Sequence, residues 1–192
     1  IVSLSGNLLF GEVLVGNHAS AILTIHNAGN SALNVTGISY PSGFSGAWSG
    51  AVSPGGSQNV TVIFAPSAAQ IFVGDIVVNC DSMSGENSIS ASGAGLAVFS
   101  SISLSGDLFF GSVLLGSTQS QVLSIHNDGN VPIQVVQITC PAGYAGNWNG
   151  EIPPQGHQDV AVIFTPVAVG VNEGEIQVDS DAVSGNSVIA CR

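Results

Sequence analysis

The stretch SQNVTVIFAP at residues 57–66 alternates apolar and polar side chains and is rich in β-branched residues. Val60, Val62 and Phe64 fall on one side of an extended chain, and Asn59 falls on the other. Successive side chains of a strand point to opposite faces, so the alternation predicts a β-strand with one buried face.

The same stretch returns as HQDVAVIFTP at residues 157–166, a constant offset of 100 residues that holds for the other repeated segments. These further pairs are LSGNLLFGEVLVG at 4–16 with LSGDLFFGSVLLG at 104–116, LTIHNAGN at 23–30 with LSIHNDGN at 123–130, and DSMSG at 81–85 with DAVSG at 181–185. Such self-similarity predicts two homologous domains, residues 1–97 and 98–192. The joint, LAVFSS, contains no Pro or Gly and predicts a short, stiff linker.

Each repeat consists of short alternating segments that are punctuated by Gly, Asn and Pro. No apolar stripe with helical spacing competes with this pattern. Turn-forming residues cluster at 27–30, 53–56 and 81–85. About seven strands in roughly 100 residues predict an all-β fold, with two tandem immunoglobulin-like antiparallel β-sandwiches.

Composition excludes several functions. Charged residues make up 7% of the chain, the net charge is −11, and the one cation among Lys and Arg is Arg192. Binding of a nucleic-acid backbone or an anionic membrane surface needs several cations, so neither partner is expected. No apolar run approaches the roughly 20 residues of a membrane span, so no membrane insertion is expected. The sparse charge favours an extracellular or cell-surface setting.

A family resemblance rests on motifs that cover nearly the whole chain. In the first repeat these are Phe10-Gly11-x-Val13-x-Val15-Gly16, Ile25-x-Asn27-x-Gly29, Pro54-Gly55-Gly56-Ser57, Val60-x-Val62-x-Phe64-x-Pro66 and Ser92-Gly93-Ala94-Gly95. The second repeat keeps most of them, at Phe110, Gly111, Val113, Gly116, Ile125, Asn127, Gly129, Val160, Val162, Phe164 and Pro166. The chain resembles the ASPM–SPD-2–Hydin (ASH) immunoglobulin-like domains and, more closely, the bacterial choice-of-anchor D repeats.

The resemblance implies spacer, scaffold and interaction modules of bacterial surface proteins, or of ciliary and centrosomal proteins in eukaryotes. It brings no catalytic residues and no cofactor, so the protein is not expected to be an enzyme. The chain departs from the family at Arg192, short of a second Gly-x-Gly. The last strand of the second domain is therefore expected to be cut short, continued in a longer protein, or completed by another chain.

The segments GFSGAWSG at 43–50 and GYAGNWNG at 143–150 each place two aromatic residues four positions apart. As a strand, the first would set Phe44 and Trp48 on one face with the glycines, which predicts internal packing. The alternative is that Trp48 and Trp148 are exposed and stack on sugar rings.

The remaining candidate sites are weaker. The histidines His18, His26, His126 and His157 lack metal-ligand spacing and are expected to be exposed. Asp179 and Asp181 are a weak calcium candidate on a turn. No Gly-x-Ser-x-Gly nucleophile turn occurs, which also argues against hydrolase chemistry.

The sequence offers candidate glycosylation sites and one candidate disulfide, without deciding whether either forms. Asn34 and Asn59 each lie in an Asn-x-Thr sequence and are possible glycosylation acceptors. A bridge between Cys140 and Cys191 would leave Cys80 free, and the alternative is that all three are small buried hydrophobes.

The sequence predicts a non-enzymatic structural or interaction segment of an extracellular or cell-surface protein, of bacterial or archaeal type. Its partners would be proteins, either copies of itself or neighbouring domains, and a specific form is a filament or adhesin-like subunit that associates through β-edges. One alternative is an accessory carbohydrate-binding module of a secreted enzyme, with a glycan as ligand. A second is an intracellular scaffold of ciliary type, which would keep its cysteines as free thiols.

Overall fold

The computed structural model describes residues 1–82 and 84–192, which divide into two compact units, Ile1–Ala97 and Val98–Arg192. The described residues form strands, turns and irregular segments and contain no helix, so the predicted all-β class is confirmed. It follows that none of the described residues belongs to a helix long and apolar enough to cross a membrane. The predicted turn at 81–85 lies partly outside the described residues, because it contains Met83.

Unit 1 is a sandwich of two sheets, and its described strands are β1 (Val2–Ser5), β2 (Leu9–Leu14), β3 (Ala19–Asn27), β4 (Leu33–Ser39), β5 (Phe44–Ser45), β6 (Gly50–Val52), β7 (Ser57–Phe64), β8 (Ile71–Cys80) and β9 (Ser88–Leu96). One sheet has the order β1-β3-β7-β5, and the other has the order β2-β9-β8-β4-β6. Neighbouring strands are antiparallel except β2 and β9, which are parallel.

Unit 2 repeats this architecture with the described strands β10 (Ser101–Ser105), β11 (Gln119–Asn127), β12 (Ile133–Thr139), β13 (Tyr144–Ala145), β14 (Gly150–Ile152), β15 (His157–Phe164), β16 (Gly174–Ser180), β17 (Ser184–Gly185) and β18 (Val188–Cys191). Its sheets have the orders β13-β15-β11-β10-β17 and β14-β12-β16-β18. The counterpart of β2 is missing from these strands, because the described residues 106–114 have no strand pairing.

The pairing of β3 with β7 explains why the stretch at residues 57–66 forms a strand. Strand β7 pairs with β3 in antiparallel register, with Leu23 opposite Val60. Val60, Val62 and Phe64 are all buried, as the alternation predicts, while Asn59 is exposed. Both sheets turn such apolar faces inward, and their contact forms the core of the unit.

A buried asparagine at the end of β3 in unit 1, and of β11 in unit 2, fixes the turn that follows. The Asn27 side-chain nitrogen donates to the carbonyls of Ser31 (2.8 Å) and Val52 (2.9 Å). Its side-chain oxygen accepts from the backbone N–H of Gly29 at 3.0 Å. Asn127 makes the same three bonds in unit 2. The asparagine of the Ile-x-Asn-x-Gly motif is thus a buried polar side chain whose nitrogen and oxygen both have hydrogen-bond partners.

Candidate interaction site

The segment GFSGAWSG crosses from one sheet to the other instead of forming one strand. Strand β5 pairs with β7 in the first sheet, and β6 pairs with β4 in the second. The interpretation of residues 43–50 as a continuous strand is therefore wrong. Residues 46–49 between the two short strands have no strand pairing, and the same crossing recurs at 146–149.

Both tryptophans lie in these crossings. Trp48 and Trp148 are half-buried, and each packs against the core of its own unit. The Trp48 ring covers Gly50, where a Cβ would lie 3.2 Å from the ring. Each indole is therefore partly packed against its core and partly in water.

His26 and His126 are half-buried, whereas His18 and His157 are exposed as expected. His26 Nε2 lies 2.8 Å from Ser5 Oγ, and His126 Nε2 lies 2.7 Å from Ser105 Oγ. The rings of His126 and His157 are 5.7 Å apart, a cross-strand pair that the sequence did not indicate, because it depends on the register of β11 against β15. The described residues contain no group of three or more His, Cys, Asp and Glu that could hold a metal ion.

The two calcium candidates are bound by amide groups. Asp179 accepts hydrogen bonds from the side chains of Gln137 (2.8 Å) and Gln177 (2.9 Å). Asp181 accepts from the backbone N–H of Gln134 at 2.7 Å. Both carboxylates therefore have structural roles between strands, and the calcium site stays a prediction.

Both glycosylation candidates are exposed on strands. The Asn34 side chain donates to Asp81 Oδ2 at 2.6 Å, and its backbone N–H donates to Asp81 Oδ1 at 2.9 Å. These two bonds to Asn34 lower the pKa of Asp81 below its ordinary value. Asn59 accepts a hydrogen bond from Thr24 Oγ1 at 2.9 Å.

The cysteines are free thiols in this structure. Burial raises the pKa of Cys140, and burial together with the charge of Cys140 raises the pKa of Cys191. Cys80 is half-buried on β8. A Cys140–Cys191 bridge stays a prediction for an oxidising environment.

The end of β9 lies in a slot of unit 1 between β8 and β2. Ala94 is opposite Ile71 of β8 and opposite Glu12 of β2. The Gly95 N–H donates to the Gln70 carbonyl at 2.8 Å, and the Leu96 carbonyl accepts from the Val15 N–H at 2.9 Å. We refer to the position of Gly93–Leu96 as the strand slot.

The strand slot is too tight for side chains on its inner face. A Cβ on Gly93 would lie 2.5 Å from the Phe64 ring. A Cβ on Gly95 would collide with the carbonyl oxygen of Ala68 and lie 2.9 Å from Pro66. Real Cβ atoms do not approach so closely, so the two glycines are required by the neighbours that form the slot.

The corresponding place in unit 2 is an open groove of about 710 Å³. Its floor contains Phe164, Pro166 and Ala168, the same residue types at the same repeat positions as the walls of the strand slot. We call it the unit 2 groove, and its lining comes from residues 109–115, 164–173 and Arg192.

At one end of the unit 2 groove the chain is still paired, because the Phe110 N–H donates to the Arg192 carbonyl at 2.7 Å. Arg192 holds the place that Ser92 has in unit 1: its N–H donates to the Leu108 carbonyl at 3.1 Å, as that of Ser92 does to Leu8 at 3.0 Å. Past this point no described residue lies between the two edges, and Leu114 is 79% exposed. The sequence did not identify residues 109–115 as the opposite edge of this groove.

Comparison with known proteins places the first unit in a family. Residues 1–94 match the family model described as HYDIN/CFA65/VesB-like, Ig-like domain. Unit 1 is therefore an immunoglobulin-like domain of ASH type, as its motifs predicted. Unit 2 repeats most of those motifs and the same strand order, except that it lacks the counterpart of β2 and has the additional short strand β17 beside β10. The curated proteins contain no sequence that matches this chain.

The solved structures that match include a protein of unknown function from Porphyromonas gingivalis W83, with 18% identity, a TM-score of 0.44, and coverage of 99% of this chain and 96% of that chain. The ASH/PapD-like domain 7 of human CEP192 has 15% identity and a TM-score of 0.38, covering 50% of this chain and 85% of that one. The VesB protease of Vibrio cholerae has 19% identity and a TM-score of 0.38, covering 48% of this chain and 30% of its own. With these TM-scores, the three structures carry no argument about the fold or function of this chain.

Proposed function

We propose that the chain is a non-enzymatic interaction segment of a cell-surface or secreted protein, of bacterial or archaeal type, and that it binds other protein chains through exposed strand edges. The observation that carries this proposal is the open edges of the sheets, which end at β5 and β6 in unit 1 and at β13 and β14 in unit 2. Unit 2 also exposes the apolar side chains of Phe109, Leu114 and Val171. Unpaired edges with apolar surroundings are sites where another strand adds to a sheet.

The surface chemistry supports a protein partner. The net charge is −11 with one cation in the whole chain, which disfavours nucleic acid and anionic membranes through repulsion. An ASH-type domain also brings no catalytic residues of its own. Exposed apolar residues on an unpaired edge favour protein contacts, since such contacts remove apolar surface from water.

A filament or adhesin-like subunit is the specific form of this proposal. Light scattering of the purified chain over a wide concentration range, with negative-stain microscopy of the concentrated sample, tests it. Growth of particle mass with concentration is the expected result. A clean monomer at the highest concentration would contradict the polymer form.

One variant makes the assembly test specific to the groove. The Ser117 N–H donates to the Leu114 carbonyl at 3.0 Å, which makes residues 114–117 a turn with Gly116 at a φ of 80°. Proline is favoured at the second position of such a turn, so Leu115→Pro suits the isolated chain while removing an edge N–H. Assembly through the groove should weaken in this variant, and assembly through another surface should not.

A glycan-binding module is the second candidate, because Trp48 and Trp148 keep part of their rings in water at equivalent places in both units. Polysaccharide pull-down with the native chain and with Trp48→Phe and Trp148→Phe tests it. Binding that is lost on removal of both indoles, with folding intact, would favour the glycan module over the protein-binding segment.

A further inference from the structure

We propose that His126 and His157 form a two-ligand site for a divalent transition metal ion that prefers imidazole, namely Cu²⁺, Ni²⁺ or Zn²⁺. The site lies on the outer face of the sheet that contains β11 and β15. This inference goes beyond the proposed function and does not rest on it, because it involves neither the open sheet edges nor the unit 2 groove.

Strand register brings the two histidines together. Strands β11 and β15 are antiparallel neighbours, and His126 stands directly opposite His157. Ile125 and Asn127 on either side of His126 are buried, and so is Val160, three positions from His157. Both histidine rings therefore project from the outer face of the sheet. Directly opposite residues have Cβ atoms about 4.5–5.5 Å apart, which is close enough for two side chains to share one ion.

The two rings are already close to the spacing that a shared ion requires. Their centres are 5.7 Å apart, and their planes meet at 33°. An ion bound to one nitrogen of each ring at about 2.0–2.1 Å holds the ring centres about 5 Å apart. Because His157 is exposed, a turn of its side chain brings the rings to that spacing without any movement of the core.

Ser105 orients the ring of His126 for this role. Nε2 of His126 lies 2.7 Å from Ser105 Oγ, and when Nε2–H donates this bond, the lone pair of Nδ1 is free for a metal ion. Metal-bound histidines commonly donate a hydrogen bond from their second nitrogen, which fixes the tautomer and the ring orientation. Ser105 is on β10, and β10 and β15 flank β11 on opposite sides. The hydrogen bond to Ser105 and an ion shared with His157 therefore do not compete for one side of the ring.

The charge around the pair favours a cation. Asp159 lies on the same outer face, two positions from His157, and accepts a hydrogen bond from Ser124 Oγ. The chain has a net charge of −11, and a negative field raises the local concentration of cations. Asp159 supplies charge and is not a third ligand, since the described residues hold no group of three such side chains that could bind a metal ion. Water completes the coordination of the ion.

Unit 1 provides a natural control, because it keeps only one histidine of the pair. His26 makes the same bond to Ser5, at 2.8 Å, but the residue opposite His26 is Ser57. One imidazole binds such an ion more weakly than two imidazoles that share it. The repeat therefore contains a two-ligand position and a one-ligand position on equivalent sheet faces.

The test is a titration of the ¹⁵N-labelled full chain with Ni²⁺ at about pH 7.5, where most imidazoles are neutral. Paramagnetic Ni²⁺ broadens the amide signals near its binding site. Residues 125–127 and 156–158 should broaden at a Ni²⁺ concentration at least about tenfold lower than residues 25–27 and 56–58. Equal broadening of the two sets would overturn the site, and so would broadening confined to other residues, such as those around His18.

Two reciprocal variants make the test specific, because each introduces the residue that the other repeat already has at that position. His157→Ser gives unit 2 the arrangement of unit 1, so its Ni²⁺ affinity should fall by at least about tenfold. Ser57→His gives unit 1 a cross-strand pair with His26, so its affinity should rise by a similar factor. Thermal unfolding checks that both variants keep the native fold.

Either variant can overturn the inference. Unchanged Ni²⁺ binding around residue 126 in His157→Ser would show that the second imidazole is not a ligand. A Ser57→His variant that binds Ni²⁺ no better than native unit 1 would show that this register does not place two imidazoles around one ion.

Ca²⁺ is the control ion, because it binds carboxylate and carbonyl oxygens and not imidazole. Ca²⁺ should leave the signals around His126 and His157 unchanged and should not compete with Ni²⁺. Displacement of Ni²⁺ by Ca²⁺ would overturn the assignment of the two imidazoles as ligands in favour of an oxygen site at Asp159.

Discussion

Gly93 lies directly against the ring of Phe64, and a single added Cβ would be 2.5 Å from the ring carbon Cε1. Because glycine leaves room for the ring, β9 can pair with both β8 and β2 in the five-stranded sheet of unit 1. The counterpart ring, Phe164, lines the open groove of unit 2. The same ring is thus covered by a strand in one unit and borders a groove in the other.

Gly93→Val should therefore destabilise unit 1. The added side chain cannot be accommodated beside Phe64, and overpacking of this kind costs about 1–3 kcal/mol. Ala94→Val is the matched control, because Ala94 points away from that wall and valine favours strands. Differential scanning calorimetry of both variants measures the effect, and equal melting temperatures for the two would contradict the tight-slot explanation.

Asn27→Asp should lower the stability of unit 1 by about 1–3 kcal/mol, the cost of unsatisfied buried polar groups. The change replaces an N–H₂ group that serves two carbonyls with an oxygen that repels them. Asn59→Asp is the control, since unit 2 has Asp159 at that position and its carboxylate accepts from Ser124. Urea unfolding compares the two, and an Asn27→Asp variant as stable as Asn59→Asp would refute the role of the buried amide.

Stability should depend on pH through Asp81. Its two bonds from Asn34 lower its pKa from an ordinary value of 3.8, so the charged form is favoured in the folded state. The resulting stabilisation is present above the unfolded pKa and is lost as the pH falls through the lower folded pKa. Asp81→Asn should thus melt below the native chain at pH 7, and this gap should shrink as the pH falls below about 4. A gap that persists at low pH would show that the carboxylate charge is not its cause.

Trp48→Ala should destabilise unit 1 by about 2 kcal/mol, less than for a fully buried ring, because the indole is half-exposed. Trp48→Phe keeps most of the packing against the core and should cost less. Chemical unfolding measures both changes. Native stability in Trp48→Ala would contradict the packing role and leave ligand contact as the better explanation of the segment.

The strand at 57–66 could be predicted from the sequence because its alternation is local. Residues 43–50 could not, since the choice between one strand and a crossing depends on pairing with β7 and β4, which are distant in sequence. Local pattern also fails to separate LLFGEVLVG from LFFGSVLLG. The first becomes β2 because β9 lies beside it, and the second has no partner strand among the described residues.

The central claim is that unit 1 fills its strand slot with Gly93–Leu96 and that residues 109–115 of unit 2 lack the equivalent pairing in this chain. Amide hydrogen exchange of the dilute native chain tests this most directly, by comparing residue 15 with residue 115. The Val15 N–H is bonded to the Leu96 carbonyl, so its exchange should be slower than that of Leu115 by at least about tenfold. Equal protection of the two amides in the dilute, unliganded chain would contradict the account.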